Sequence, residues 1–315
     1  MEEKKVIYEK KPPIAFVTLN RPEIRNALDF EPDGAIEQLT EIWKDVRYDP
    51  EIRVAVLKGA GPCFCAGFDM SMTGTERAAP SKLDPLGLTK GHETDPWALY
   101  TGKDNPEAGP NIGGGMPVTE AMWNCTKPII AQVHSYCLGG GLWLANYCDI
   151  VIASADALFG YPPIRFSNPI TLPVLMPWLL GMRKTNEMAF TGAMIDSQEA
   201  YTCGLINKVV PGDKLDEQVL KMAEVIAAIP PMNNLYSKLI IHNFYEAMGI
   251  KSAMEYSLAL GFMIEGSSIP GGLRGDLQKG EEMGVSKSLK EIMAPYTEYD
   301  KEIRERARKL AENIE

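Results

Sequence analysis

The chain has 315 residues, 45% of them hydrophobic, enough for one large domain or a domain with an appendage. Its net charge of −10 argues against nucleic acid or an anionic membrane as the main partner. No apolar run approaches the ~20 residues of a bilayer span, and Met1-Glu2-Glu3-Lys4-Lys5 leads into no apolar signal segment, so a cytoplasmic protein is expected.

Residues 6 to 9 and 14 to 19 alternate as strands would, with Lys10 to Pro13 as the turn between them and Asn20-Arg21-Pro22 ending the second. From Pro32 to Tyr48, Ile36, Leu39, Ile42, Trp43 and Val46 form a helical stripe. Val54 to Lys58 reads as a buried strand. Between Ser71 and Glu120 the periodicity is lost while glycines and prolines recur, which predicts a covering loop. Ile129 to Val133, bounded by Pro128, reads as a buried strand leading into Gly139-Gly140-Gly141. A short helix is predicted from Leu142 to Tyr147 and a strand from Ile150 to Ala153. Residues 170–191 look helical but broken by Pro173, Pro177 and Gly181. A short helix at Asp196 to Cys203 has Asp196 or Ser197 as its cap, and Ile206 to Val210 is the last strand. Three amphipathic helices follow at 213–229, 231–248 and 251–264, the first with a stripe of Leu215, Val219, Met222 and Ile226. The charged tail ends in a helix predicted over Tyr299 to Ile314, read as an extension on the surface.

Two strand-to-turn transitions carry the chemistry. Gly139-Gly140-Gly141, at the start of a helix, leaves first-turn amides unpaired and turns the positive end of the helix dipole towards the turn. Cys63-Phe64-Cys65-Ala66-Gly67-Phe68-Asp69 follows the 54–58 strand and offers a second amide near Phe68. Two donors converging on one point can hold a carbonyl oxygen as it becomes an enolate or tetrahedral oxyanion. Neither turn has the lysine of a phosphate-binding loop or GxGxxG spacing, which weighs against a nucleotide-binding module. The six cysteines include no CxxC pair, with Cys63 and Cys65 on opposite faces of an expected strand; free thiols are the simplest account. His92, His134 and His242 are scattered, so no metal site is expected, and His134 reads as a core histidine of a buried strand.

Asn20-Arg21-Pro22 with Asn26-Ala27-Leu28, FxAGxD at Phe64 to Asp69, KPxIAxVxxxxxGGG at 127 to 141 and CDIxIAxxxAxFGxP at 148 to 162 resemble the crotonase, or enoyl-CoA hydratase/isomerase, superfamily over about residues 6 to 265. The resemblance implies an α/β fold: a β/α spiral core over 1–205, with 71–120 as covering loop. It further implies a helical trimerisation region over 206–265, making homotrimers or homohexamers, and leaves 266–315 as a C-terminal extension. It implies an acyl-CoA substrate, with coenzyme A as part of the substrate and no separate cofactor. By the same resemblance, the amides of Phe68 and Gly140 form the oxyanion hole. Arg25 (phosphate contact), Ala27 (backbone contact), Ala66, Asp69 and Met70 bind coenzyme A, and Trp97, Leu99 and Tyr100 line the acyl pocket or anchor the loop.

Hydratases of this family place one glutamate two residues after the last glycine of the triplet and another directly after FGxP. Trp143 and Pro163 stand at those positions here, and neither transfers a proton. Substitute acid/base groups are sought among Asp69, Glu120, Tyr136, Tyr161, Arg165, and His92 or Glu93 of the covering loop, with Asp69 also read as a cap of the Phe68 turn. Tyr161, just before Pro162-Pro163, is favoured because a phenol can donate a proton or orient water. Trp143 could stack on a cyclic or aromatic acyl group. The reading is hydration of an unsaturated enoyl-CoA; C–C hydrolysis, isomerisation or decarboxylation of an oxoacyl-CoA, or a non-catalytic CoA-ester binding subunit, stay open.

Overall fold

The computed structural model describes residues 4–29, 33–69, 116–166, 174–265 and 290–314. Strands β1 (Val6–Lys11), β2 (Ile14–Leu19), β3 (Val54–Gly59), β4 (Ile129–Val133), β6 (Ile150–Ser154) and β9 (Lys208–Val210) form a six-stranded sheet in the order β1-β2-β3-β4-β6-β9. β1 pairs antiparallel with β2, and every other pair is parallel. A smaller sheet holds β5 (Tyr136–Leu138), β7 (Leu158–Gly160) and β8 (Met194–Asp196) in the order β5-β7-β8. Successive passes of the chain thus place one strand in the large sheet and the next in the small one: β4 then β5, β6 then β7.

Strict alternation along the parallel strands divides the core. Ala55 and Leu57 of β3, Ile129 and Ala131 of β4, and Val151 and Ala153 of β6 face one side, against α1 (Ala35–Tyr48) and its Leu39, Trp43 and Val46. Val54, Val56, Ile130 and Ile152 face the other, covered by Leu215, Val219, Ala223 and Ala227 of α6 (Leu215–Ala228). Strands buried on both faces need apolar residues at consecutive positions, which is why these runs carry no polar alternation. α1 has Gly34 as N-cap and no side-chain cap there; instead Asp29 Oδ1 accepts the Ala35 amide at 2.6 Å. Truncating Trp43, fully buried in this layer, would remove about 3–5 kcal/mol.

The remaining helices are α2 (Met116–Trp123), α3 (Gly140–Asn146), α4 (Met176–Thr191), α5 (Ser197–Thr202), α7 (Pro231–Ala247), α8 (Ile250–Glu265) and α9 (Thr297–Asn313). Asp196 caps α5, its carboxylate accepting the Glu199 amide at 2.8 Å. α4 is interrupted at Gly181 (φ 72°) as expected, but Pro177 lies in its first turn, where a missing N–H costs nothing, and starts the helix rather than breaking it.

Several sequence expectations are corrected. The glycine turn does not follow β4 directly: Ser135, at φ 52°, redirects the chain into β5, and the turn follows β5. Cys63 and Cys65 lie on no strand and do not face opposite ways; both are buried, their thiols donating to the Arg25 and Asn26 carbonyls. His134 sits just past β4, half-buried, with Nε2 3.0 Å from the Gly61 carbonyl oxygen. The last strand begins at Lys208, not Ile206. The tail helix α9 packs on the small sheet of its own chain through buried Ile303 and Ala307, next to Leu158 and Met194.

Candidate active site

The two turns meet. Gly67 stands so close to the glycine turn that a Cβ on it would lie 3.5 Å from the Leu138 carbonyl oxygen and 3.8 Å from the Gly140 nitrogen. Gly67 (φ 122°) and Gly139 (φ 51°) both occupy backbone regions that side chains disfavour, so glycine is required at the point of contact. The approach is held by short bridges. The backbone of Cys65 pairs in parallel with that of Cys137 in β5, both thiols free, through Cys65 N to Tyr136 O (2.9 Å) and Leu138 N to Cys65 O (3.0 Å), and Leu28 pairs in parallel with Phe68 through Leu28 N to Gly67 O (2.9 Å) and Asp69 N to Leu28 O (2.8 Å). In such a bridge the flanking residues carry the hydrogen bonds, so the Phe68 amide itself points to the opposite edge. Gly140 opens α3, and its amide has no acceptor among the described residues. With only seven residues, α3 has a modest dipole, and the amide itself is the useful donor.

Asn26, which the sequence offered only as a motif residue without a role of its own, ties the 20–29 segment to the 60–69 turn. It sits at φ 57°, buried, with Nδ2 2.8 Å from the carbonyls of Ala60 and Cys63 and 3.2 Å from that of Phe64, while Oδ1 accepts the Arg21 amide at 2.9 Å. The available signal was chemical: asparagine tolerates a left-handed backbone better than other side-chain-bearing residues. Arg21 completes the link, donating to the Ala27 carbonyl at 2.7 Å and to Asp69 Oδ2 at 2.9 Å.

The geometry redistributes the expected roles. Asp69 is held in the ion pair with Arg21, so its carboxylate joins two loops rather than serving as a cap or a free base. The Ala27 carbonyl already accepts Arg21, and the Ala66 amide donates to the Arg25 carbonyl at 3.0 Å. Arg25 is exposed at φ 57°, open to a ligand on the outer side of this loop. Arg165 is no acid/base group: it forks onto Asp300 at 2.7 and 2.9 Å, deeply buried. Tyr136 packs towards α9, and Glu120 is exposed on α2. Pro163 lies against Gly139, its Cγ 3.4 Å from where a Cβ on that glycine would be. Tyr161, two residues before it, is fully buried. Trp143 is buried in the first turn of α3, its ring centroid 5.8 Å from that of Phe68 at 44°. Met70, His92, Glu93, Trp97, Leu99 and Tyr100 fall outside the described residues.

Burial pushes the Cys65 thiol up to about 12 and the Cys137 thiol well above its ordinary value. Both stay protonated at neutral pH, which removes the nearest sulfurs as nucleophiles.

Interleaved parallel strands and facing glycine turns define the crotonase class of α/β protein. The profile of the family described as Enoyl-CoA hydratase/isomerase matches residues 9–87 and 111–255. The chain is 35% identical over 229 residues to the (E)-benzylidenesuccinyl-CoA hydratase of Thauera aromatica, covering 70% of this chain and 75% of that protein. It is 30% identical over 245 residues to the mevalonyl-coenzyme A hydratase sidH of Aspergillus fumigatus, covering 77% and 79%. The crystal structure of an enoyl-CoA hydratase/isomerase from Xanthobacter autotrophicus Py2 superposes with a TM-score of 0.77 at 29% identity, covering 92% of this chain and 98% of that one. The chain therefore belongs to the enoyl-CoA hydratase/isomerase family, and among its described residues no helix is long and apolar enough to cross a membrane.

Proposed function

We propose that the protein holds an acyl-CoA thioester oxygen on the amides of Phe68 and Gly140 and adds water to an unsaturated acyl group that carries a ring. The observation behind this reading is the aromatic contact beside both donors: Trp143, three residues past Gly140, packs on the side chain of Phe68. Amides aimed at developing charge contribute about 3–4 kcal/mol each to the transition state. A flat apolar pair next to them favours a ring by roughly 0.5–1.5 kcal/mol beyond burial. The Thauera aromatica relative, named for benzylidenesuccinyl-CoA, supports the ring. Coenzyme A arrives as part of the substrate with no separate cofactor. Its adenine and phosphate end falls to exposed Arg25 and the Ala27 backbone, with Ala66 and Met70 proposed as further coenzyme A contacts. Proton transfer falls to Tyr161, whose neighbour Gly160 accepts the Gly139 amide at 2.9 Å, so the phenol rides on the strand end that braces the donor turn.

Trp143 and Pro163, where hydratases of the family carry glutamates, favour a second reading: C–C hydrolysis, isomerisation or decarboxylation of an oxoacyl-CoA on the same oxyanion site. Incubation with ring-bearing enoyl-CoA and oxoacyl-CoA thioesters, followed by mass spectrometry, separates the two. Gain of one water by the enoyl esters supports hydration. Loss of carbon dioxide, or water gained only by the oxo esters, supports the alternative, as does a product of unchanged mass with a new chromatographic retention, the mark of isomerisation; no change in mass or retention on any ester refutes both. Trp143→Glu is expected to abolish turnover of ring-bearing esters, since a carboxylate would replace the stacking surface; undiminished turnover would remove Trp143 from the site.

The chain is further proposed to assemble as a homotrimer or homohexamer. α7 leaves Leu239, Ile240, Ile241 and Phe244 more than half exposed, and burying such a surface is the ordinary use of it. Light scattering on the purified protein tests this, and a monomer at micromolar concentration would refute it.

A further inference from the structure

Beyond the residues that the family profile matches lies α9, and it reaches back to the wall of the candidate site. Asp300 on its first turns receives both terminal nitrogens of Arg165 at 2.7 and 2.9 Å, with side chains only 2% and 5% exposed. Tyr296, just before α9, covers the same guanidinium at 4.3 Å. Arg165 Nε donates to the Thr191 carbonyl at 2.9 Å. Gly192 (φ 63°) is pressed against the same segment: a Cβ there would lie 2.7 Å from Ile164 Cγ2 and 2.8 Å from Arg165 Cγ. The turn Pro162–Phe166 is thus wedged between the end of α4 and the tail helix. Its Pro163 abuts Gly139, the residue before the Gly140 amide.

From this chain of contacts we infer that Asp300 is a positioning residue: through Arg165 it fixes the Pro163 turn against Gly139 and so sets the aim of the Gly140 amide at the thioester oxygen. The inference rests on the oxyanion reading given above. A doubly hydrogen-bonded carboxylate–guanidinium pair fixes direction as well as distance, and a site element misplaced by about 1 Å loses on the order of a hundredfold in rate. The Pro163 side chain has no polar group, so it acts by bulk, and bulk works only if the turn behind it cannot retreat.

The test uses the full chain and cinnamoyl-CoA labelled isotopically at the thioester carbonyl, read by infrared difference spectroscopy beside its dissociation constant. Wild type is expected to lower the carbonyl stretching frequency on binding, because aligned donors polarise the bond. Asp300→Asn keeps the size of the side chain and removes the charge. It is expected to keep the dissociation constant within about threefold, since most of the affinity is remote from the reacting carbon, yet lose at least half of the frequency shift. Tyr296→Leu, which removes the cover and leaves the ion pair, should lose a smaller part, and decides the matter alone if Asp300→Asn does not fold. A full wild-type shift in every variant that folds overturns the positioning role. Absence of a shift in wild type itself overturns the oxyanion reading, and this inference with it.

Discussion

Replacing Gly140 by alanine asks how closely the two turns are fitted. Its φ is not positive, so no backbone strain is added, and in a helical first turn alanine is favoured over glycine by up to about 1 kcal/mol. The new methyl would lie 2.9 Å from Phe68 Cζ, 3.0 Å from Phe68 Cε2 and 3.0 Å from Leu28 Cδ1. Carbon contacts settle near 3.5 Å or more, so the Phe68 ring must retreat by about half an ångström. Such overpacking costs roughly 1–3 kcal/mol, partly offset by the helix term, for a net loss of about 1 kcal/mol in stability. The ring belongs to the residue whose amide is the other donor and packs on Trp143, so its displacement disturbs the site directly. Loss of one oxyanion donor costs about a hundredfold or more in kcat, and a partial misalignment should cost about ten- to a hundredfold. Gly141→Ala is the control: its methyl would meet the Cys65 carbonyl oxygen at 2.5 Å, a backbone atom with no room to retreat, so destabilisation of about 3 kcal/mol or more is expected. Urea denaturation and turnover of the best ester from the panel measure both. A Gly140→Ala enzyme with undiminished kcat would refute the reasoning, and so would one as unstable as Gly141→Ala.

Asn26→Ala strips the donor from the Cys63 and Phe64 carbonyls and puts a Cβ-bearing residue without a compensating hydrogen bond at φ 57°, so a loss of about 3 kcal/mol is expected by urea denaturation. Asn26→Gly keeps the backbone freedom, and the difference between the two variants should be about 1 kcal/mol. Lys238→Met leaves the Asp149 carboxylate, 22% exposed, without the ammonium 2.7 Å away, and is expected to cost about 3 kcal/mol at neutral pH. Burial pushes the Asp149 carboxyl up, but Lys238, with hydrogen bonds from His242 and the Ile129 amide, outweighs it and holds the carboxyl below its usual value. A depressed folded-state value stabilises above the unfolded value and is lost as pH falls through the folded one. The stability gap between wild type and Lys238→Met should therefore narrow below about pH 4, and a gap constant with pH would contradict the pairing.

The buried strands were legible because consecutive apolar residues such as Val54 to Leu57, in runs too short for a helix and rich in β-branched side chains, fit a strand covered on both faces. The donor turns were legible as glycines placed after strands. Ser135 gave no warning that the chain would enter a second sheet, since serine at φ 52° has no compositional signature. The pairing of Asp69 with Arg21 joins residues 48 apart, and that of Arg165 with Asp300 joins residues 135 apart; charges alone do not reveal such partners. Asp69 and Arg165 read as chemical candidates for that reason, and the fold spends both on holding loops in place.

The most direct measurement is a crystal structure with a ring-bearing CoA thioester bound. The account predicts the thioester oxygen within about 2.7–3.1 Å of both the Phe68 and Gly140 nitrogens, with the acyl ring against Trp143. An oxygen bonded to neither amide, or a CoA ester seated on another face of the chain, would contradict it.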